Sequence, residues 1–218
     1  MQPRLSPQRD AAMTLFEVGV IIAIVALLGA LLLSWLVNSR INEARFGCVN
    51  NLKQVGLAFR IWAGDNGDIN PMGISLTNGG SLEMVITGNV VRTFQLMSNE
   101  LSTTKILVCP MDLARTNTSD FATLANTNLS YFVGVDVTND LPPQQILSGD
   151  ANFALGGRPV APGLLNLASN SPVRWTPTRH GLAGSLGLAD GSVQQITNRS
   201  LPRMLGSTGV ETNRLAIP

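Results

Sequence analysis

The sequence predicts an α+β protein in which one long N-terminal helix packs on a small antiparallel β-sheet. Three observations predict it. Residues 18–37 run almost without a polar atom, apolar residues then recur at steps of three and four as far as Trp62, and beyond residue 65 short β-rich runs alternate with Gly, Asn, Asp and Pro turns. The chain therefore divides into a short polar leader, 1–12, a long helix, 13–64, and a β-rich domain, 65–218.

The apolar run comes first. As a helix at 1.5 Å per residue, residues 18–37 reach about 30 Å, the hydrocarbon thickness of a bilayer. A cleaved secretory signal has a shorter apolar core followed by a small-x-small site, whereas this chain continues L-V-N-S-R-I-N-E-A. Trp35 stands near the far end, where an indole suits the interface. Arg4 and Arg9 precede the run and Arg40 and Arg45 follow it, so charge alone leaves the orientation open.

The helix does not stop with the apolar run. Ile41, Ala44, Cys48, Leu52, Val55, Phe59 and Trp62 form one stripe on a helix, and Gly64-Asp65-Asn66-Gly67 ends it. The first part of this helix is built for lipid; the second needs a soluble partner over its stripe.

Composition narrows the function. A net charge of +1 with 13% charged residues offers no basic stripe, so no nucleic-acid partner is expected. Two cysteines and one histidine are too few for a disulfide scaffold or a Cys/His zinc cluster, and no metal ligand set is assigned. Cys48 and Cys109 are compatible with one bridge in an oxidising compartment or with two small buried thiols.

Glu17 stands at the mouth of the apolar run, and a carboxylate at mid-bilayer costs about 2.5–3.5 kcal/mol, less near the interface. On its own it reads equally well as a snorkelling acid. The surrounding A-M-T-L-F-E, after a short leader carrying two arginines, resembles the N-terminus of type IV pilins and type II secretion pseudopilins. The resemblance implies cleavage by a prepilin peptidase between Ala12 and Met13, methylation of the new N-terminus, and Glu17 as the fifth residue of the mature chain. It implies a single-pass protein of the inner membrane, its N-terminus cytoplasmic and its main domain periplasmic or otherwise extracytoplasmic. Glu17 would then serve assembly, its charge matched by the free amine of Met13 on a neighbouring subunit and so fixing axial register. Ala12 replaces the usual Gly, and Val18-Gly19 replaces the commoner large aliphatics. Ser34 stands where many major pilins carry a helix-kinking proline, which points to a minor pilin or pseudopilin.

In the downstream domain Lys105–Val108, Tyr131–Val135 and Gln145–Leu147 are strand candidates. Leu186–Ile196 reads as a hairpin with a two-residue turn at Asp190-Gly191. Thr116–Asn128 and Gly156–Thr178 read as irregular surface loops. His180, nine residues, then Asp190-Gly191 is similar to the H-X9-DG signature of prepilin-like proteins from planctomycetes, verrucomicrobia and their relatives. N-N-L-K-Q-V-G-L-A from Asn50, D-N-G-D-I-N-P from Asp65, Val108-Cys109-Pro110 with Asp112, and Gly149-Asp150 fit the same group.

His180 and Asp190 invite a catalytic reading, but an extended segment between them separates their side chains beyond hydrogen-bonding distance. The expectation is structural: a turn-forming Asp190 with Gly191, and a packing His180. There is no second histidine, G-x-S-x-G, P-loop or H-E-x-x-H, so no enzyme is expected. Asp65, Asp68, Asp112, Asp136 and Asp150 are oxygen donors for calcium, which some pseudopilins bind, but D-N-G-D-I-N lacks the alternating acidic spacing and closing Glu of a calcium loop. No cofactor is assigned. The expected function is that of a pilin-like structural subunit, assembled through its helix with other pilin or pseudopilin subunits into a type IV pilus-like or type II secretion pseudopilus filament. The alternative is a membrane-anchored extracytoplasmic binding module that is not polymerised.

Overall fold

The computed structural model describes residues 15–138 and 142–218, without the side chains of 34 and 37–41. The expected cleavage residues Ala12 and Met13 lie outside the described residues, as do the side chains of Ser34 and Ile41. The described chain divides after Glu43 into two compact units, the second being Ala44–Pro218.

The first helix, α1 (Leu15–Asp65), contributes to both units. Its stretch Leu15–Leu33 is long and apolar enough to cross a membrane. Phe16, Ile22, Val25, Leu28 and Leu32 there are all exposed. Glu17 lies within this stretch, two residues after the helix is first described.

From Ala44 onward α1 has two faces. Cys48, Leu52, Val55, Ala58, Phe59, Trp62 and Ala63 are buried, while Lys53, Gln54, Arg60 and Gly64 are exposed. The stripe expected from the periodicity is the buried one. The sequence reading ends the helix at 64 and begins a new domain at 65; Ala44–Asp65 instead belongs to the compact second unit, because its stripe is part of that unit's core. The helix stops where Gly67 turns left-handed at φ 69° and the Asp68 amide donates back to the Ala63 carbonyl.

Among the described residues nine strands follow: β1 (Tyr131–Gly134), β2 (Ile146–Asp150), β3 (Phe153–Leu155), β4 (Arg158–Pro159), β5 (Gly163–Ala168), β6 (Val173–Trp175), β7 (Ala183–Leu188), β8 (Val193–Thr197) and β9 (Thr212–Ile217). They form a six-stranded sheet in the order β5-β9-β1-β2-β7-β8 and a three-stranded sheet in the order β4-β3-β6. Every pairing is antiparallel. The larger sheet is covered on both faces, and alternation along its central strands divides the core. Val133, Leu147 and Ala216 join the α1 stripe, Met72, Phe94, Leu107 and Leu129 in one cluster. Phe132, Ile146, Leu215 and Ile217 point the other way, into a second cluster with Phe153, Trp175, Leu186 and Leu205.

Three expectations are corrected. Lys105–Val108 is no strand: Thr104–Leu107 is a 3₁₀ turn, started by the Thr103 hydroxyl accepting from the Lys105 amide at 3.3 Å. Gly156–Thr178 is no irregular loop, since it contains β4, β5 and β6 and buries Leu167, Val173 and Trp175. Thr116–Asn128 carries two 3₁₀ turns, Phe121–Thr123 and Asn126–Asn128, and buries Leu124 between them.

The hairpin forms, with a different turn. The Gly191 amide donates to the Leu188 carbonyl and the Leu188 amide to the Ser192 carbonyl, each at 2.9 Å. That pattern encloses three residues, Ala189, Asp190 and Gly191, and of these only Gly191 has positive φ, 84°. The loop is a turn followed by a glycine bulge, not a two-residue turn with two left-handed residues.

Candidate functional site

In the second unit a group of buried polar side chains, Asp112, Ser130, Asp150 and Ser185 among them, lies close to Arg179 and His180. The approach to this residue runs from β6 through the turn Thr176–His180, and two successive left-handed residues, Gly181 at φ 63° and Leu182 at φ 64°, then lead into β7. A branched side chain at such a φ is uncommon and costs about 1–2 kcal/mol. The surrounding structure holds it there: the Asn198 amide donates to the Leu182 carbonyl at 3.3 Å.

The His180 ring is buried, and its Nε2 lies 3.3 Å from the Asp150 Oδ2 and 3.3 Å from the Cys109 Sγ. Asp150, the last residue of β2, is fully buried; its Oδ2 also accepts from the Ser185 amide at 2.7 Å. Cys109 is joined by a disulfide to Cys48 of α1, with the two Cα atoms 5.0 Å apart. The stripe cysteine and the cysteine before Pro110 are thus neighbours across a sequence separation of 61.

Beside this group lies a buried ion pair. The Arg179 Nη2 is 2.5 Å from the Asp112 Oδ2, and the Arg179 Nη1 donates to the Ser130 carbonyl at 2.8 Å. The Ser130 hydroxyl donates to the same Asp112 oxygen at 2.8 Å, and the Ala114 amide donates to the Asp112 Oδ1 at 3.3 Å. Burial pushes the Arg179 guanidinium below its usual value, with Asp112 and then Asp150 pulling it back up. Tyr131, packed with Cys48, Leu52 and Cys109, has its phenol raised well above its usual value by burial first and by the Asp150 charge second.

The signature residues are not brought together. His180 precedes β7 and Asp190 follows it, so they stand at the strand's two ends, as the spacing predicts. Asp190 works within its own turn, its Oδ1 accepting from the Ser192 amide at 2.8 Å. What the two share is α1: Arg45 Nη2 donates to the His180 carbonyl at 3.4 Å, and Arg60 Nη1 donates to the Asp190 carbonyl at 3.3 Å. Fifteen residues of helix advance about 22 Å, and the two arginines hold β7 to the helix near both its ends. Sequence reasoning missed this role of both arginines; the signal was a long cation next to the stripe residues Ala44 and Phe59.

As chemistry the group is unlike a nucleophile relay. A histidine that activates a thiol presents one nitrogen to the nucleophile and the other to its orienting carboxylate, whereas here Nε2 faces both Cys109 and Asp150. Cys109 is in addition disulfide-bonded.

The five aspartates weighed for calcium do not converge. Asp112 is held by Arg179, Asp136 by Arg214, and Asp150 by His180 and the Ser185 amide. Asp65 is the last residue of α1, and Asp68 lies in the turn beyond it. Among the described residues, the side chains close enough to share one ion are Cys48, Cys109 and His180, whose donor atoms lie within 4.8 Å of one another.

Compared with protein-family models, with curated proteins and with solved structures, the chain has no match.

Proposed function

We propose that this chain is a pilin-like structural subunit, cleaved after Ala12, held in the inner membrane by its first helix and assembled through that helix into a type IV pilus-like or pseudopilus filament. The observation that carries the reading is the character of α1. Its Leu15–Leu33 stretch is apolar and exposed with Glu17 inside it, and its Ala44–Asp65 stretch is amphipathic with a buried stripe. A plain anchor needs the first property without the acid.

Two energetic arguments support assembly. Leaving the bilayer unpartnered would expose the apolar surface of Leu15–Leu33 to water at about 25 cal/mol per Å2. Helix-to-helix packing in a filament removes that penalty, so membrane exit and polymerisation occur together. A buried carboxylate is likewise costly unless paired, and cleavage creates the cation for Glu17 at the Met13 amine of a neighbour.

The test is the intact mass of the protein isolated from membranes. The expected species lacks Met1–Ala12 and carries one added methyl group; a chain that keeps Met1 overturns the reading. A second measurement is recovery of Glu17→Ala in sheared filament fractions, where about a hundredfold loss or more is expected, as for one partner removed from a buried ion pair, about 3–5 kcal/mol. Cleavage without any dependence on Glu17 would instead leave an anchored, unpolymerised binding module.

A further inference from the structure

We propose that the Cys48–Cys109 bridge masks a zinc site: when a thiol reductant opens it, both cysteine sulfurs and the His180 Nε2 take up one zinc ion, with water in the fourth position and Asp150 as a charged neighbour.

Donor chemistry and placement both support this. Two thiolates and an imidazole form a set that zinc accepts in tetrahedral geometry with water as the fourth ligand, with bonds of about 2.0–2.3 Å, which puts neighbouring donors roughly 3.3–3.8 Å apart. The two Sγ atoms and the His180 Nε2 already lie within 4.8 Å of one another. His180 presents to Cys109 and Asp150 the same nitrogen, Nε2, at 3.3 Å from each. That arrangement defeats a proton relay, but it turns Nε2 toward the Cys109 sulfur, as a shared ion would need.

A further observation concerns Asp150. Its Oδ2 is used by the Ser185 amide and faces His180, but its Oδ1 is buried with no hydrogen-bond partner among the described residues. A buried acceptor left unpaired costs about 1–3 kcal/mol, more when charged, and such an atom calls for an explanation. A zinc ion held beside the His180 ring would bring a positive charge close to this buried carboxylate.

A cavity of about 230 Å3 is lined by Arg45, His180, Ser185, Gln195 and Thr197, and it runs from the exposed Gln195 and Thr197 to the buried His180.

The steps balance. Two equivalents of a thiol R–SH reduce the Cys48–Cys109 bond by thiolate exchange, leaving two cysteine thiols and releasing R–S–S–R. Zinc then displaces two protons from the thiols to solvent. In the oxidised chain both sulfurs are consumed by their mutual bond, so the site cannot hold zinc tightly. Metal uptake is therefore gated by redox state.

The experiment uses the full chain in detergent micelles, once oxidised and once reduced with a phosphine, which is not itself a thiol ligand. Each form is titrated with zinc against a chromophoric chelator, and cobalt(II) serves as a spectroscopic probe. The expected result is one zinc per reduced chain, bound at least about 100-fold more tightly than by the oxidised chain, with thiolate-to-cobalt charge-transfer bands on cobalt loading. His180→Ala and Asp150→Asn each lower the reduced-form affinity by about tenfold or more. Equal affinity in the two redox forms overturns the proposal, as does tight binding that His180→Ala leaves unchanged. Circular dichroism covers the case in which reduction unfolds the chain: refolding on addition of zinc supports the site, and failure to refold counts against it.

Discussion

Tyr131 shows what burial does to a single ionisable side chain here. Its ring is fully buried beside the disulfide, and its phenol is raised by loss of solvent and by the Asp150 charge, so the folded chain keeps it neutral where the unfolded chain ionises it. The sign follows. A group with a raised folded pKa contributes stability that is intact below its ordinary value and is lost as pH rises, so unfolding stability should be flat in Tyr131 up to about pH 10 and decline above it. Denaturant titrations at pH 8 to 11 check this, and Tyr131→Phe should flatten the alkaline fall. At this scale Glu17, the two cysteines and His180 stand out from the sequence by residue type and position alone. Asp150 stands out only as one of five aspartates that could serve calcium and as part of Gly149-Asp150; its place beside His180 and the Ser185 amide depends on long-range strand pairing that the sequence does not display.

At the scale of the element, β7 depends on an absent side chain. A Cβ added at Gly184 would lie 2.5 Å from Trp175 Cζ3 and 2.6 Å from its neighbouring ring atoms, so strand and indole approach each other only because position 184 is glycine. Gly184→Ala should lower unfolding stability by about 1–3 kcal/mol, seen as an earlier denaturant midpoint. The helix stripe was legible because it repeats a period over many residues, and the β7–β8 hairpin because Asp190-Gly191 marks its turn. The strands within Gly156–Thr178 were not. β4 and β6 are two and three residues long, too short to show alternation, and in β5 the exposed Leu164 hides the alternation that buries Leu165 and Leu167. Lys105–Val108 misled in the opposite direction: K-I-L-V has strand composition, yet the Thr103 cap turns it into a 3₁₀ helix that still buries Ile106 and Leu107.

For the whole molecule the arrangement of covers matters most. The second unit places α1 residues on one face of its main sheet and the β3–β6 sheet residues Phe153 and Trp175 on the other, giving two cores from one set of central strands. Composition had suggested a single helix-on-sheet layer, because the second cover lay in a segment with no visible pattern. The disulfide closes a loop across the first of these cores. Removing it by Cys48→Ala with Cys109→Ala, at a sequence separation of 61, should cost roughly 4 kcal/mol by loop-closure entropy. Comparison of denaturant midpoints for the oxidised chain and the double variant measures it.

That covalent link also decides where tension travels. When the chain is pulled from its N-terminal end with its C-terminal end held, the load leaves α1 at Cys48 and re-enters the backbone at Cys109. Everything from Val49 to Val108, including the Phe59 and Trp62 contacts, is bypassed, so the oxidised chain can bear drag along its helix without shearing the core that the helix completes.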